Sequence, residues 1–280
     1  MKKPQQRYRG KKEKKQGLKL AHSAEFKEET DELIEVVYGR HAAIEAIQKR
    51  RGNKLFLLQE LEAKKAEELK ELAQENQIPV KWVPRQKLDQ LTDGAVHQGI
   101  VLTVTPYEYL TVTDLIQESL AKTEAPVLLI LDSIEDPHNF GSMLRTADAT
   151  GIDGVIIPKH RSVGVTSTVT KTSTGAVEYI PIARTTNLTQ AVEQLKEAGF
   201  WIFGTDMAGT DYREWNVAGP IALIIGNEGK GVSPKLKKQV DEMITIPMTG
   251  HVQSLNAGVA AGLLMYEVYR KRQPISKGKA

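Results

Sequence analysis

Residues 221–258, IALIIGNEGKGVSPKLKKQVDEMITIPMTGHVQSLNAG, contain two strand-like runs, each followed by polar residues. Ile221–Ile225 is an uninterrupted apolar run, which is typical of a strand buried on both faces of a parallel sheet. Gly226-Asn227-Glu228-Gly229 ends this run with glycines that permit unusual backbone angles and close approach. Met243–Met248 forms another brief strand-like run, which ends at Pro247. Ser254-Leu255-Asn256 then opens a long apolar helix with Ser254 as its predicted N-cap.

An upstream stretch has the same organisation. Residues 132–151, DSIEDPHNFGSMLRTADATG, follow the apolar run Val127–Leu131 and lead into a predicted helix. In an open parallel sheet, ligands bind at the carboxyl ends of the strands, where each strand is followed by a helix. The two stretches therefore predict one ligand site to which both contribute.

Neither stretch has the glycine spacing of a known nucleotide-binding loop. GNEGKG at 226–231 has two residues before its Gly-Lys, whereas a Walker loop needs four and a Ser or Thr afterwards. No G-x-G-x-x-G follows a predicted strand, so an oxidoreductase with a dinucleotide fingerprint is a distant alternative. For either stretch alone, glycines that only form turns are the simplest interpretation.

Together the motifs resemble those of a known enzyme family. The chain contains D132-x-I-x-D-P-x-N139-x-G-x-x-x-R145-T-A, then I-I-G226-N-E228-G, then I246-P-M-x-G-x-x-x-S254-L-N256. In this order they closely resemble the three motifs of the SpoU-type 2'-O-ribose RNA methyltransferases. Upstream, G39-R-H-A-A-I-E-A-I, H97-Q-G-I-V and K171-T-S-T-G-A-V-E resemble the two-domain bacterial members, which include 23S rRNA guanosine-2'-O-methyltransferases. The family usually has Ser where this chain has Gly258.

The resemblance implies roles for particular residues and S-adenosylmethionine as the methyl donor. It places Arg145 beside the ribose hydroxyl, with Glu228 orienting either Arg145 or Asn139. Because a guanidinium stays protonated, a physically safer role for Arg145 is to hold the adjacent phosphate and stabilise the developing alkoxide. The implied catalytic residues are Arg145, Asn139, Glu228, Ser254 and Asn256, and the implied cofactor-binding residues are Gly226, Ile246, Leu255, Met248 and Thr205.

Simpler roles stay open for three of these residues. Asn139 could serve only as a helix cap, and the same holds for Ser254. Glu228 could be a solvated carboxylate in a turn.

The composition is that of an ordinary globular protein. Its 280 residues, 40% hydrophobic and 26% charged, are enough for two domains with separate cores. The chain has no cysteine and its six histidines lack ligand spacing, so we expect neither disulfides nor a metal site. No apolar run has membrane-spanning length and the basic N-terminus lacks the apolar core of a signal peptide, so a cytoplasmic protein without membrane association is expected.

Positive charge is concentrated at the N-terminus. Residues 1–20 contain nine Lys or Arg and one Glu, a net +8, against +3 for the whole chain, which leaves −5 for the rest. This block predicts a disordered tail, residues 1–32, that suits a polyanion such as RNA, although a solubilising terminus would have the same composition.

Alternating strands and helices predict two α/β domains after this tail: residues 33–106 and, beyond a linker at 107–125, residues 126–273 with a parallel sheet. The resemblance implies that the first is a ribosomal-protein-like RNA-binding domain and that the second, of the SPOUT type, has a trefoil knot. The candidate RNA contacts are Arg40, Arg50, Arg51 and His97, although solvated surface charge is the simpler interpretation for each. Lys171 begins a stretch that could be an RNA-facing loop or only a loop.

The predicted elements follow from hydrophobic periodicity. In the first domain they are strands at Glu35–Tyr38, Lys54–Gln59, Val80–Val83 and Ile100–Thr105, with helices at Gly39–Arg51 and Ala63–Gln77. In the second domain the predicted strands are Val127–Leu131, Gly154–Ile157, Glu178–Ile182, Phe200–Thr205, Ile221–Ile225 and Met243–Ile246. The predicted helices are Phe140–Thr150, Leu188–Ala198, Pro234–Asp241 and Leu255–Lys271.

The resemblance to the SpoU-type enzymes implies methylation of a ribose 2'-hydroxyl in a structured RNA, with a 23S rRNA guanosine as first choice and tRNA as the alternative. A homodimer is expected because the family forms each site at a two-fold interface, although periodicity alone allows the last helix to be monomer core. A different class remains open: a ribosome-assembly factor that binds RNA without turnover. Only Gly258 favours it, and the intact motif residues oppose it.

Overall fold

A computed structural model of the protein describes residues 35–252 and 254–273, and the predicted tail at 1–32 lies outside these ranges. The strands within them are β1 (Glu35–Tyr38), β2 (Gly52–Leu58), β3 (Val80–Val83), β4 (Ile100–Val104), β5 (Val127–Asp132), β6 (Gly154–Pro158), β7 (Ile182–Thr185), β8 (Trp201–Asp211), β9 (Ile221–Gly226) and β10 (Glu242–Thr245). The helices are α1 (Arg40–Gln48), α2 (Ala63–Glu75), α3 (Arg85–Leu91), α4 (Val112–Lys122), α5 (Pro137–Thr150), α6 (Ser167–Thr172), α7 (Leu188–Glu197), α8 (Pro234–Lys237) and α9 (Ala257–Arg272).

The first sheet has four strands in the order β1-β4-β2-β3. β1 and β2 pair antiparallel with β4, and β3 pairs in parallel with β2 at the edge of the sheet. One face packs against α1 and α2 through a core that includes Ile47, Leu69 and Leu102. α3 contributes Leu88 to a smaller cluster that contains Val101. This sheet therefore has a core of its own.

The second sheet has six strands in the order β10-β8-β9-β5-β6-β7, and every described pairing in it is parallel. β5 and β9 are buried along their whole length, as apolar runs between two helical layers should be. One core cluster contains Phe140 of α5 and Leu264 of α9, and the other contains Leu115 of α4 and Leu195 of α7. The predicted α/β fold with a parallel sheet is confirmed, and the trefoil knot stays a prediction.

The register of β5 and β9 brings the two motif stretches together. Asp132 at the end of β5 lies opposite Gly226 at the end of β9. Asp132 Oδ2 accepts a hydrogen bond from Ser233 N at 2.7 Å, and Asn227 Nδ2 donates to Ser133 O at 3.0 Å. The segments that follow the two strands are therefore joined directly, as the ends of neighbouring parallel strands predict.

Several predicted elements need correction. The predicted strand Glu178–Ile182 is wrong, because Ala176–Glu178 form a 3-10 turn and the strand starts only at Ile182. The stretch that starts at Lys171 begins inside helix α6 and not in a loop, and α3 was not predicted. The predicted helix at 234–241 ends at Lys237. β8 extends to Asp211, past its predicted end, because its second half pairs with β10 across a register shift.

The predicted linker at 107–125 also packs closely on the second sheet. Leu110 bridges to Ala183 in β7, and α4 buries Leu115 and Ile116 against that sheet. The domain boundaries themselves stay predictions. None of the helices in the described part of the chain is long and apolar enough to span a bilayer.

Polar contacts join the first sheet to the 3-10 turn. Arg51 Nη1 donates to Glu178 Oε1, and its Nη2 donates to Thr105 O at 3.0 Å. Burial raises the pKa of Glu178, while the charge of Arg51 acts in the opposite sense. Tyr179 donates its hydroxyl proton to Glu45. Arg51 is therefore held by other protein groups, so this structure does not support a contact between its guanidinium and RNA.

Candidate active site

A cavity of about 790 Å³ lies where β8, β9 and β10 meet the segments that follow them. Its walls come from residues 205–207 in β8, residues 225–231 at and after the end of β9, and residues 244–248 at and after the end of β10. Further lining positions are residues 250–252, 254–255, 257 and 260. This volume is within the range of about 300–1,000 Å³ that small-molecule sites occupy.

All five residues predicted to bind a cofactor line this cavity. They are Thr205, Gly226, Ile246, Met248 and Leu255. Thr205 also donates its hydroxyl proton to Ile224 O at 3.2 Å, which ties β8 to β9 beside the cavity. Their assignment to a cofactor stays a prediction, but the structure brings them to one place.

Gly226 has no room for a side chain. A Cβ atom there would lie 2.2 Å from the carbonyl carbon of Gly231 and 2.2 Å from the nitrogen of Val232. The chain returns over Gly226 because Gly231 N donates to Asn227 O at 2.7 Å. The close approach expected at Gly226 is therefore made by the backbone of Gly231 and Val232 from the same loop, which forms part of the cavity wall.

Three predicted catalytic residues form one hydrogen-bonded cluster, which we call the amide–carboxylate cluster: Asn139, Glu228 and Asn256. Glu228 Oε1 accepts from Asn139 Nδ2, from Asn256 Nδ2 at 2.9 Å and from Ala257 N at 3.4 Å. Asn256 Nδ2 also lies 2.9 Å from Asn139 Oδ1, to which it donates. The orienting contact predicted between Glu228 and Asn139 is therefore present.

The position of this cluster is electrostatically favourable for a carboxylate. Ala257 is the first residue of α9, and the N-terminus of a helix attracts negative charge. Asn139 is 9% exposed, so its amide needs these partners, because a buried polar group without one costs free energy. Glu228 also lines the cavity, which places its anchored carboxylate beside any bound ligand.

The predicted N-cap of α9 is wrong. Asn256 caps the helix, because its Oδ1 accepts from Val259 N at 3.2 Å. Ser254 is exposed, lines the cavity and makes no hydrogen bond with any residue in the described ranges. Since Asn is as good a cap as Ser, local preference could not choose between them. The contacts of Asn256 with Asn139 and Glu228 explain why Asn256 and not Ser254 caps α9.

Arg145 stands apart from the amide–carboxylate cluster. It is exposed on α5, and its side chain makes no hydrogen bond or ion pair with another residue in the described part of the chain. Asn139 precedes it by six residues, a helical rotation of about 600°, so the two side chains leave different faces of α5. Glu228 thus contacts Asn139 and not Arg145, whose guanidinium has all its donors available.

Two of the predicted RNA contacts, Arg40 and His97, differ in exposure. Arg40 is partly exposed and pairs with Glu68 at 2.5 Å, and its contact with RNA stays a prediction. His97 is buried, and its Nδ1 accepts from Gly99 N at 2.9 Å while its Nε2 lies 3.0 Å from Asp89 Oδ1. With both ring nitrogens engaged inside the fold, His97 is not placed to contact RNA.

Lys171 also departs from its predicted role. Its Nζ donates to Val96 O and lies 4.9 Å from the centre of the Tyr38 ring. Both partners belong to the first α/β unit, so Lys171 joins the two units. Its predicted place in an RNA-facing loop is not supported.

Sequence reasoning missed an ion pair in the cavity wall. Asp206 and Lys237 both line the cavity and pair through Asp206 Oδ2 and Lys237 Nζ. The hydrogen bond from Lys237 is the main cause that lowers the pKa of Asp206. Neither residue belongs to a motif, and Asp206 lies beyond the predicted end of β8. Only the extended pairing of β8 could have indicated it.

Gly258, the position where the family named above usually has Ser, has little space for a side chain in this structure. A Cβ atom at this position would lie 2.7 Å from Ser142 Oγ, 3.2 Å from Asn256 Oδ1 and 3.5 Å from Asn139 Oδ1. Ser142 Oγ donates to Asn139 O at 3.1 Å. The Ser142 hydroxyl therefore fills the space into which a side chain at position 258 would project.

Gly258→Ala is therefore expected to destabilise the protein, whereas Gly262→Ala in the same helix should stabilise it. A Cβ at position 262 meets only Thr146 Cγ2, at 4.0 Å, so it gains helix propensity, up to about 1 kcal/mol, without a clash. At position 258 overpacking costs about 1–3 kcal/mol. Denaturant unfolding of both variants and of Gly258→Ala with Ser142→Ala measures the difference. Equal stabilities of the two single variants, or no rescue by Ser142→Ala, would contradict this explanation.

Within the described ranges, no group of three or more His, Asp or Glu side chains could hold a metal ion.

Comparison with known protein families gives two matches. The description "SpoU rRNA Methylase family" matches residues 126–266, and "RNA 2'-O ribose methyltransferase substrate binding" matches residues 36–110. A Bacillus subtilis protein, YacO, assigned to the TrmH family of tRNA/rRNA methyltransferases, is 49% identical over 243 residues, which cover 86% of this chain and 97% of YacO. A Staphylococcus aureus protein with the same assignment is 46% identical and covers 86% of this chain and 98% of its own.

Two solved structures are similar over both α/β units. One is an AdoMet-bound rRNA methyltransferase from Sinorhizobium meliloti, with 25% identity, a TM-score of 0.71 and coverage of 85% of this chain and 87% of that one. The other is the SpoU methyltransferase AviRb from Streptomyces viridochromogenes in complex with AdoMet, with 26% identity, a TM-score of 0.70 and coverage of 85% and 89%.

Proposed function

Because this chain belongs to the SpoU family of RNA 2'-O-ribose methyltransferases, we propose that it transfers a methyl group from S-adenosylmethionine to the 2'-hydroxyl of a 23S rRNA guanosine. The observation that carries the proposal is the convergence of all five predicted cofactor residues on one cavity beside the amide–carboxylate cluster. The family predicted from the sequence is confirmed, and RNA 2'-O-ribose methylation is its activity.

The cavity suits S-adenosylmethionine, which supplies an electrophilic methyl group on a sulfonium. Ile246, Met248 and Leu255 give an apolar wall, and the turns after β9 and β10 offer backbone groups to an adenine. Both similar structures hold AdoMet, which supports this donor. The loop that folds back over Gly226 keeps the wall in shape without a side chain.

The residues around the cavity have separate tasks. Glu228 is fixed by three donors, so it holds the amide of Asn139 in one orientation toward the substrate ribose. Arg145 binds the phosphate next to the target ribose with its planar fork and stabilises negative charge on the reacting oxygen. Among the described residues it has no ion-pair partner, which supports this role because no such pair has to be broken when RNA binds.

The choice of 23S rRNA rests on the two-domain organisation and on the rRNA methyltransferase among the similar structures. tRNA is the alternative, because the closely similar relatives are assigned to tRNA/rRNA methyltransferases as a group. A cytoplasmic location, where both RNAs occur, is part of this proposal.

Transfer of labelled methyl from S-adenosylmethionine tests the proposal. The acceptors are 23S rRNA and, separately, tRNA from a strain that lacks this protein, and the modified nucleotide is then mapped. We expect one labelled ribose in 23S rRNA. Label only in tRNA would identify tRNA as the substrate instead of 23S rRNA. No label in either RNA despite donor binding would favour the ribosome-assembly factor.

The protein is also proposed to act as a homodimer through α9. Val259, Leu263 and Tyr266 are 53%, 41% and 53% exposed, and their spacing places them on one face of the helix. Tyr269, 40% exposed, extends this face and contacts Tyr266 with ring centres 6.2 Å apart. A row of exposed apolar side chains on one helix is typical of an interaction surface.

Tyr266→Glu is expected to convert the dimer into a monomer, because the substitution places a charge in the centre of this apolar face. Sedimentation velocity at micromolar concentration measures the mass of both proteins. Leu120→Glu is the matched control, since Leu120 is 38% exposed on α4 and lies outside this face. A monomeric wild-type protein, or a dimer that survives Tyr266→Glu, would rule out this interface.

A further inference from the structure

Trp82 is a large aromatic side chain at the edge of the first sheet, away from the cavity described above. It is 41% exposed on β3, which is paired on one side only. Val80 and Trp82 alternate with Lys81 and Val83, so they share the face on which α2 packs. The exposed part of its ring is therefore available for stacking against a ligand.

The ring borders a cleft of about 500 Å³ between the end of α2 and β3. Its lining residues are Lys70, Gln74, Gln77, Ile78, Pro79, Val80 and Trp82. This set combines one aromatic ring and an apolar floor with two amides and one ammonium group, and it contains no carboxylate. Lys70 also pairs with Glu67 at 3.0 Å, but an exposed pair of this kind contributes little and leaves Nζ able to donate elsewhere.

The backbone turn at the end of α2 fixes the positions of Gln74 and Gln77. Gln77 has φ +58°, in the left-handed region, where glycine is the usual residue after a helix. Gln77 N donates to Gln74 O at 3.1 Å, and Ile78 N donates to Ala73 O at 2.8 Å, which fixes this turn. This turn therefore places Gln77, together with Gln74, in the wall of the cleft.

We propose that this cleft binds one unpaired nucleotide of the RNA substrate, with its base stacked on Trp82. The amides of Gln74 and Gln77 hydrogen-bond the edge of the base, and Lys70 contacts the neighbouring phosphate. The inference rests on the proposed function for the identity of the RNA. In addition to the contacts at the active site, it gives the RNA a point of attachment within residues 36–110, the part that matches the substrate-binding description.

A nucleotide fits this surface better than a peptide does. A peptide would bind β3 by adding a strand to its free edge. That edge is only four residues long and lies between Pro79 and Pro84, which lack the backbone donor needed to continue a ladder. A planar ring beside amides and an ammonium group is instead the combination that recognises unpaired bases.

Tryptophan fluorescence tests the stacking directly. In a Trp201→Phe background, Trp82 and the buried Trp215, which is 2% exposed, remain. A single-stranded RNA of about ten nucleotides should quench the emission, because a stacked base contacts the Trp82 ring, whereas the same sequence in a duplex should not. Quenching should disappear when Trp82→Leu is added. Equal quenching by the duplex, or quenching without Trp82, would overturn the proposal.

Binding and kinetics give a second, independent measurement. Trp82→Ala in the full chain should weaken binding of 23S rRNA roughly 10-fold and raise KM for that RNA, with kcat at saturation unchanged. Trp82→Phe should retain most of the affinity. Trp201→Ala is the matched control, because Trp201 is 51% exposed in the second sheet and should not affect RNA binding.

The two proposals can fail separately. RNA binding that depends on Trp82 without any methyl transfer would refute the proposed function and leave this site in place. Methyl transfer with an RNA affinity and KM unaffected by Trp82→Ala would refute this site alone.

Discussion

Arg145→Ala is expected to lower kcat for methyl transfer by about 100- to 1,000-fold, the range seen when one group that stabilises transition-state charge is removed. Binding of S-adenosylmethionine should stay unchanged, because Arg145 does not line the cavity. Stability should also be unaffected, since the side chain is exposed and makes no hydrogen bond or ion pair within the described ranges. Single-turnover methylation and calorimetric titration of the donor measure the two effects.

Two further variants show whether the shape or only the charge of Arg145 matters. Arg145→Lys keeps the charge but loses the planar fork, so we expect it to recover only part of the rate. Asp148→Ala removes an exposed side chain one turn further along α5 and should leave methylation at the wild-type rate. Loss of donor binding in Arg145→Ala would instead make Arg145 a cofactor or structural residue.

Glu228→Ala is expected to impair both stability and catalysis. It removes the acceptor shared by Asn139, Asn256 and the first amide of α9. Donors left unsatisfied cost about 1–3 kcal/mol, and kcat should fall by at least about 100-fold because Asn139 loses its orientation. Glu228→Gln keeps an acceptor oxygen but not the charge at the helix N-terminus, so an intermediate effect is expected.

A double-mutant cycle shows whether these effects come from the contact between Asn139 and Glu228 or only from the loss of side-chain volume. If Asn139 and Glu228 act together, Asn139→Ala should cost much less stability and activity in the Glu228→Ala protein than in the wild type. Thermal unfolding and single-turnover methylation provide the two readouts. Additive effects in both would mean that the two residues act independently, with Glu228 as an ordinary turn carboxylate.

The sequence predicted the architecture well because most of it depends on local signals. Apolar runs bounded by Gly, Asn, Asp or Pro marked the central strands, and the observed β5 and β9 differ from their predictions by one residue at one end. The prediction of a strand at Glu178–Ile182 was wrong because Glu178 ends a 3-10 turn and accepts a hydrogen bond from Arg51. That contact joins residues far apart in the chain, which periodicity does not report.

The candidate site was predictable to the extent that it lies at strand ends. The five predicted cofactor residues line one cavity because parallel strands bring their carboxyl ends to the same edge. The pairing of Asp206 with Lys237 was missed, since it depends on the register shift between β8 and β10. Burial of His97 was missed as well, because a polar residue outside helices and strands is usually exposed.

The sequence by itself determined the two α/β units, the family and the residues that meet at the cavity, because these follow from local patterns and motif spacing. Tertiary structure alone decided that Asn256 caps α9, that Glu228 holds Asn139 while Arg145 stands apart, and that Ser142 occupies the space beside Gly258. These are contacts between side chains on different elements. Their partners depend on the rotation and register of each element in the packed fold, which no local preference specifies.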